Sequence, residues 1–263
     1  MATRDDLEFA NRLADIAGAE IRRFWRQDFS VEKKGDTSPV TAADRAAELA
    51  MREAIDRERP EDGIHGEEFG LTRPEAKRQW VLDPIDGTTS FIAGRPIFGT
   101  LVALVEEGWP TLGIIDQPIA RERWAARTGE GTTFNGKQIE ARRCAELSSA
   151  VLATTSPNLF SHDEGHAFMA LAGAVDHKRM IYGGDCYNYG LLSSGFVDVV
   201  AESGLKLHDF AALVPIVEGA GGMVTDWAGE PLHAGSNGSI LALGDPARLE
   251  DVLEALSAGS HVH

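Results

Sequence analysis

Cysteine is scarce in this chain: of 263 residues only Cys144 and Cys186 carry a thiol. Two thiols build no disulfide framework, and the natural home of such a protein is a reducing cytoplasm. Long apolar runs are also missing. Nothing approaches a membrane span, and the opening Met1-Ala2-Thr3-Arg4-Asp5-Asp6 has no apolar signal region. Positive charge is in deficit, with 25 Lys and Arg against 41 Asp and Glu, a formal net charge of −16. That balance argues against a nucleic-acid backbone or an anionic membrane as partner. A phosphorylated substrate would have to be drawn in by local cations, which bound metal could supply. No Pro/Ser-rich linker, internal repeat or low-complexity segment divides the chain. The expectation is a single domain over 1–263, with halves of about 1–145 and 146–263 meeting near 143–149.

What is present is the composition of an ordinary globular protein, 43% hydrophobic and 25% charged. Leu7, Leu13, Ile16, Ala17, Ile21 and Phe24 fall at helical spacing and predict a first helix over 5–27. Residues 29–40 read as a short extended piece and a loop tipped by Lys33-Lys34. Pro39-Val40-Thr41 opens a second helix to about 59, with Thr41 and Asp44 in capping-box spacing. Residues 64–68 read as the entry to a polar loop. The segments 98–105, 111–116 and 123–126 predict antiparallel strands, and Asn135-Gly136 a hairpin. The second half alternates strands (151–154, 179–182, 196–201, 223–227, 240–243) with helices (163–174, 185–194, 209–218, 246–256). Such alternation predicts a sheet covered by helices. Pro215 inside 209–218 requires either a bend or a later helix start.

The most informative stretch is Trp80-Val81-Leu82-Asp83-Pro84-Ile85-Asp86-Gly87-Thr88-Thr89-Ser90. An apolar strand stops at Pro84, which has no N–H for a ladder. Two carboxylates then flank a turn, and Gly87-Thr88 enters a helix. Hard divalent cations take carboxylate oxygens, and the free N–H groups of a helix start attract phosphate. Three further acidic segments fall at element ends: Asp44, Glu67-Glu68 and Asp209. Taken singly they read equally as a cap, a solvated loop pair and a cap.

Taken jointly, Ser38-Pro39-Val40-Thr41-x-x-Asp44, Gly66-Glu67-Glu68, Asp83-Pro84-Ile85-Asp86-Gly87-Thr88, and Asp209 before Glu218-Gly219-Ala220-Gly221-Gly222 resemble the inositol monophosphatase superfamily. The resemblance covers nearly the whole chain. It implies an α/β, layered αβαβα sandwich, usually a homodimer, acting on a small phosphate monoester with two to three Mg²⁺ per site. Carried over by position, Glu67, Asp83 and the Ile85 carbonyl would hold one ion, and Asp83, Asp86 and Asp209 a second. A third would lean on Glu67. Thr88, hydrogen-bonded to Asp44, would help deprotonate the attacking water, with Glu67 also counted as catalytic. The N–H groups of Gly87 and Thr88 would receive phosphate oxygens. Lys33 or Lys34 could close over the phosphate.

The run Gly183-Gly184-Asp185-Cys186-Tyr187-Asn188-Tyr189, with Gly204-Leu205-Lys206 and the segment around Asp209, looks like the histidinol-phosphate phosphatase branch. Asp185 stands where inositol phosphatases carry small or hydroxyl residues. Gly184, Asp185 and Glu202 are then the expected substrate-side residues, two acids suiting a cationic leaving group. Two departures from the superfamily stand out: His208 precedes Asp209 where Trp is common, and Ser90 replaces an Asn.

Overall fold

The computed structural model describes residues 1–27, 31–33 and 39–259, with the side chains of 31–33 and 39–41 left out. Lys34, and the side chains of Lys33 and Thr41 on which a phosphate clamp and a helix cap were expected, therefore lie outside the described residues. In chain order the elements are α1 (Arg4–Phe24), β1 (Val31–Lys33), β2 (Pro39–Thr41), α2 (Ala42–Glu58), β3 (Gly63–Gly66), β4 (Gly70–Thr72), β5 (Arg78–Asp86) and α3 (Thr88–Ile92). There follow β6 (Gly99–Glu106), β7 (Trp109–Gln117), β8 (Glu122–Arg127), β9 (Thr133–Phe134), β10 (Lys137–Gln138), β11 (Leu152–Thr154) and α4 (His162–Ala174). The chain ends with β12 (Met180–Tyr182), α5 (Tyr187–Ser193), β13 (Val199–Glu202), α6 (Leu207–Phe210), α7 (Leu213–Gly219), β14 (Met223–Thr225), β15 (Ile240–Leu243) and α8 (Leu249–Gly259).

Two mixed sheets and three helical layers result. The larger sheet has the order β10-β9-β8-β7-β6-β5-β3-β4, the smaller β12-β11-β13-β15-β14. Strand alternation decides which layer each side chain enters. Trp80, Leu82, Val102 and Leu104 face α1 and α2, where they meet Phe9, Leu13, Ala17, Met51 and Ile55. Val81, Leu101, Ala103 and Val105 face the other way, onto Tyr189, Phe210, Leu213 and Ile216 of α5–α7. Those helices also cover one face of the smaller sheet through Ala153, Val200 and Ala242. Its opposite face, with Leu152, Val199 and Leu241, packs on Phe168 and Leu171 of α4 and Val252 and Leu256 of α8. Apolar runs buried on both faces explain why Trp80-Val81-Leu82 shows no polar alternation. Among the described residues no helix is long and apolar enough to cross a membrane.

Four local expectations are corrected. Residues 63–66 form β3, parallel to 79–82 of β5, where a loop was expected. At Gly63 the absent Cβ leaves room for the Gln79 carboxamide, which donates to the Arg73, Pro74 and Ala76 carbonyls. Strand β5 runs through Pro84 to Asp86, with a register shift against β6 between Asp83 and Asp86. Pairing with β3 stops at Leu82, so the N–H that proline lacks has no ladder to break. The Pro84 carbonyl is held by the Thr100 hydroxyl at 2.8 Å. Residues 39–41 pair with 31–33 as a strand before α2. The helix expected over 209–218 is two pieces, α6 and α7, and Pro215 sits in the first turn of α7, where an N–H is dispensable.

Candidate active site

Strand β5 delivers Asp83 and Asp86 to the edge of the middle helical layer, and α6 brings Asp209 to them from the other half of the chain. One carboxylate oxygen of each lies within 4.8 Å of the others. A second group with the same spacing joins Asp44 of α2 to Glu67 and Glu68 of the turn after β3. Asp83 links the two. Its carboxyl is driven far above the usual range by burial first, then by the charges of Glu67, Asp86, Asp209 and Asp44. Its Oδ1 is buried and has no hydrogen-bond partner among the described residues. Asp86 is raised by burial, Asp185 and Asp209, although the Cys186 N–H donates to its Oδ2 at 2.6 Å. Asp209, raised by burial, accepts the Lys206 N–H at 2.6 Å and has His208 Nε2 at 3.6 Å from Oδ1. A crowd of acids with an orphaned buried oxygen fits a hard cation such as magnesium, which takes oxygen donors and removes the repulsion.

Beside the acids, Gly87 takes φ +87° and starts α3, a conformation that a side chain would strain. The Thr88 hydroxyl donates to the Ile85 carbonyl at 3.1 Å. That uses the single proton that a bond to Asp44 would need. The Ile85 side chain is buried under α1 and α2, which leaves its carbonyl to face the turn.

Asp185 reaches the same turn from the loop before α5. A Cβ placed on Gly87 would lie 2.7 Å from Asp185 Oδ2. Asp185 does not start the helix: α5 begins at Tyr187, with Cys186 before it making no side-chain cap, and Asp185 holds φ +45°. The Ser90 hydroxyl donates to Asp185 Oδ2 at 3.4 Å, and the Asp185 N–H donates to Thr155 Oγ1 at 3.0 Å. Burial and the neighbouring Glu202 push the Asp185 carboxyl up to about 7. Glu202 accepts the Thr155 N–H at 2.9 Å and the Tyr189 hydroxyl at 2.8 Å. A cavity of about 250 Å³ opens here, its lining including the acids Asp86, Asp185, Glu202 and Asp209 and the apolar Leu159, Phe160 and Leu205. Gly184 is not in its lining; a Cβ there would strike Asn188, so its part is in the turn.

Sequence reading named Glu68 as the second acid of its pair and Tyr189 within the run 183–189, each without a role of its own, and did not single out Thr155, Leu159 or Phe160. Those three sit in ordinary-looking segments, and only the folded sheet brings the ends of β11 and β13 together.

A sequence model of the inositol monophosphatase family matches residues 3–260. The bifunctional phosphatase IMPL2 of Arabidopsis thaliana chloroplasts is 49% identical over 94% of this chain and 73% of its own length. Histidinol-phosphatase of Mycobacterium tuberculosis is 37% identical over 98% of this chain and all of its own. The solved inositol monophosphatase of Zymomonas mobilis superposes with a TM-score of 0.90 at 52% identity, covering 98% of this chain and 99% of that one.

Proposed function

The chain belongs to the inositol monophosphatase family, and from that premise we propose that it is a magnesium-dependent phosphatase that releases phosphate and L-histidinol from L-histidinol phosphate. The observation that carries the substrate is Asp185 seated against Gly87, beside Glu202, in the cavity that Asp86 and Asp209 share. The leaving alcohol of histidinol phosphate carries an ammonium and an imidazole. A desolvated cation needs a partner, and a carboxylate gives a charge-assisted hydrogen bond. The apolar wall of Leu159, Phe160 and Leu205 suits the ring.

Glu67, Asp83, the Ile85 carbonyl, Asp86 and Asp209 would hold the metal. When bound, magnesium supplies positive charge to the phosphate dianion. The N–H groups of Gly87 and Thr88, at a helix start without intrahelical acceptors, receive phosphate oxygens. Once its hydroxyl turns from Ile85, Thr88 orients the attacking water and relays its proton, accepting it as its own passes to the carboxylate of Asp44, the final base. Asp185 fixes the amine end, so that the ester oxygen is presented to the acids.

Phosphate release from histidinol phosphate and inositol 1-phosphate at one fixed Mg²⁺ concentration tests the reading. Asp185→Ala should raise KM for the cationic substrate by about 10–100-fold, the weight of one charged hydrogen bond, with a small change for inositol phosphate. Equal effects on both would remove the amine preference. A second reading, inositol monophosphatase, is favoured by the Zymomonas mobilis structure at 52% identity. Higher kcat/KM for inositol phosphate than for histidinol phosphate would establish it.

A further inference from the structure

We infer that Glu48 is a positioning residue, whose buried carboxylate sets the Gly66-Glu67-Glu68 turn and thereby where Glu67 meets the metal. The inference rests on the metal-site reading above. Glu48 lies one helical turn after Asp44 on α2 and has no exposed surface. Its Oε2 accepts the Glu68 N–H at 2.7 Å, and its Oε1 accepts the Phe69 N–H at 3.1 Å. The Glu67 N–H donates to the Leu82 carbonyl at 3.1 Å, next to Asp83. Three successive amides are thus held, the first by the strand that carries Asp83 and the next two by Glu48.

Arg52, one turn further along α2, makes the anion tolerable. Its Nε lies 2.7 Å from Glu48 Oε1, Nη1 donates to Thr72 Oγ1 at 3.0 Å, and Nη2 donates to the Gly70 carbonyl. Asp44, Glu48 and Arg52 form an i, i+4, i+8 row on one helix face. From it Asp44 enters the acid cluster, Glu48 takes the turn's amides and Arg52 ties the far side of the turn. Both Glu48 oxygens are occupied by donors, so it acts through the backbone and not as a ligand. The same packing accounts for Gly66, since a Cβ there would strike both Glu48 and Arg52.

A carboxylate beneath an acidic cluster adds repulsion, and a carboxamide of the same shape would remove it. Glu48→Gln keeps the shape but turns an NH₂ toward an N–H, which frees one end of the turn. Outer-shell partners of this kind carry about 10–100-fold in metal affinity. The test is calorimetric Mg²⁺ titration of metal-free protein, with the Mg²⁺-induced rise in Tm as a second readout. Wild type, Glu48→Gln, Glu48→Asp and a control, Asp62→Asn, are compared. Asp62 is a buried acid at the opposite end of β3, bonded to Trp80 Nε1 at 2.9 Å. The expected result is Mg²⁺ affinity about 10–100-fold lower in Glu48→Gln, an intermediate loss in Glu48→Asp, and wild-type affinity in Asp62→Asn despite a lower Tm. Wild-type affinity in folded Glu48→Gln, or an equal loss in Asp62→Asn, overturns the inference. Should Glu48→Gln not fold, Glu48→Asp with unchanged affinity overturns it equally. No Mg²⁺ binding by the wild type would instead sink the metal-site reading itself, and phosphate release measured in parallel separates the two failures.

Discussion

A carboxylate that is buried, leaves one oxygen without a donor and faces four other acids is costly to fold. Asp83 is such a residue, and the cost is an argument for what it holds. Two buried structural acids elsewhere have donors of their own: Asp198 accepts Arg142 Nε at 2.7 Å, and Asp116 accepts Arg123 Nε at 2.7 Å. Asp83→Asn keeps the shape and removes a charge, so it should act in opposite directions with and without metal. In EDTA, Tm should rise by roughly 2–4 °C for each kcal/mol of repulsion relieved. With Mg²⁺, the variant should show little further rise and lose phosphate release by several orders of magnitude. Differential scanning calorimetry in the two conditions checks this, and a fall in Tm in EDTA would show that the charge is compensated without metal.

At the scale of elements, α1 shows how a helix start is fixed and how pH reads it. Thr3 Oγ1 accepts the Asp6 N–H at 3.2 Å while Asp6 Oδ2 accepts the Thr3 N–H at 2.8 Å, a reciprocal cap. Asp6 Oδ1 also meets Arg78 of β5 at 2.7 Å, tying helix to sheet. Burial pushes the Asp6 carboxyl up, but Thr3 and Arg78 together bring it below its ordinary 3.8. A carboxyl lowered on folding stabilises the protein fully above its unfolded value, and that share is lost as pH falls through the folded value. Urea midpoints measured downward from about pH 5 should therefore fall more steeply in wild type than in Asp6→Asn; parallel curves would contradict the assignment. The body of α1 was legible because Leu13, Ala17 and Ile21 repeat with its period over many turns. A helix of four residues such as α6 has no period to read, so Asp209 was placed at the start of one long helix. Strand β3 was missed because its parallel partner in β5 lies further along the chain, and its antiparallel partner β4 is only three residues long behind the polar turn at Glu67-Glu68. The acid set was legible through its resemblance to a family, residue by residue. The place of Asp185 against Gly87 was not, since nothing local links those two segments.

The whole molecule divides its site between halves: Glu67, Asp83 and Asp86 come with the larger sheet, and Asp185, Glu202 and Asp209 with the elements beside the smaller one. A net charge of −16 adds a general repulsion that such a cluster focuses. Metal held by both sets would therefore act as a tie across the middle layer as well as a part of the site. Ligand that binds only the folded state adds about 2.7 kcal/mol at one hundred times its Kd, so Tm should climb with Mg²⁺ concentration, while Na⁺ at matched ionic strength leaves it nearly unchanged. Where the gain appears is the sharper test. Hydrogen exchange should slow on adding Mg²⁺ both at 82–92 and at 183–210, because each segment carries acids for the same cluster. Protection confined to residues before 145 would mean that Asp209 is not engaged and that the ion sits on the first half alone. In that case Asp209→Asn would leave the Mg²⁺-induced rise in Tm intact, whereas a shared tie requires that this one substitution remove most of it.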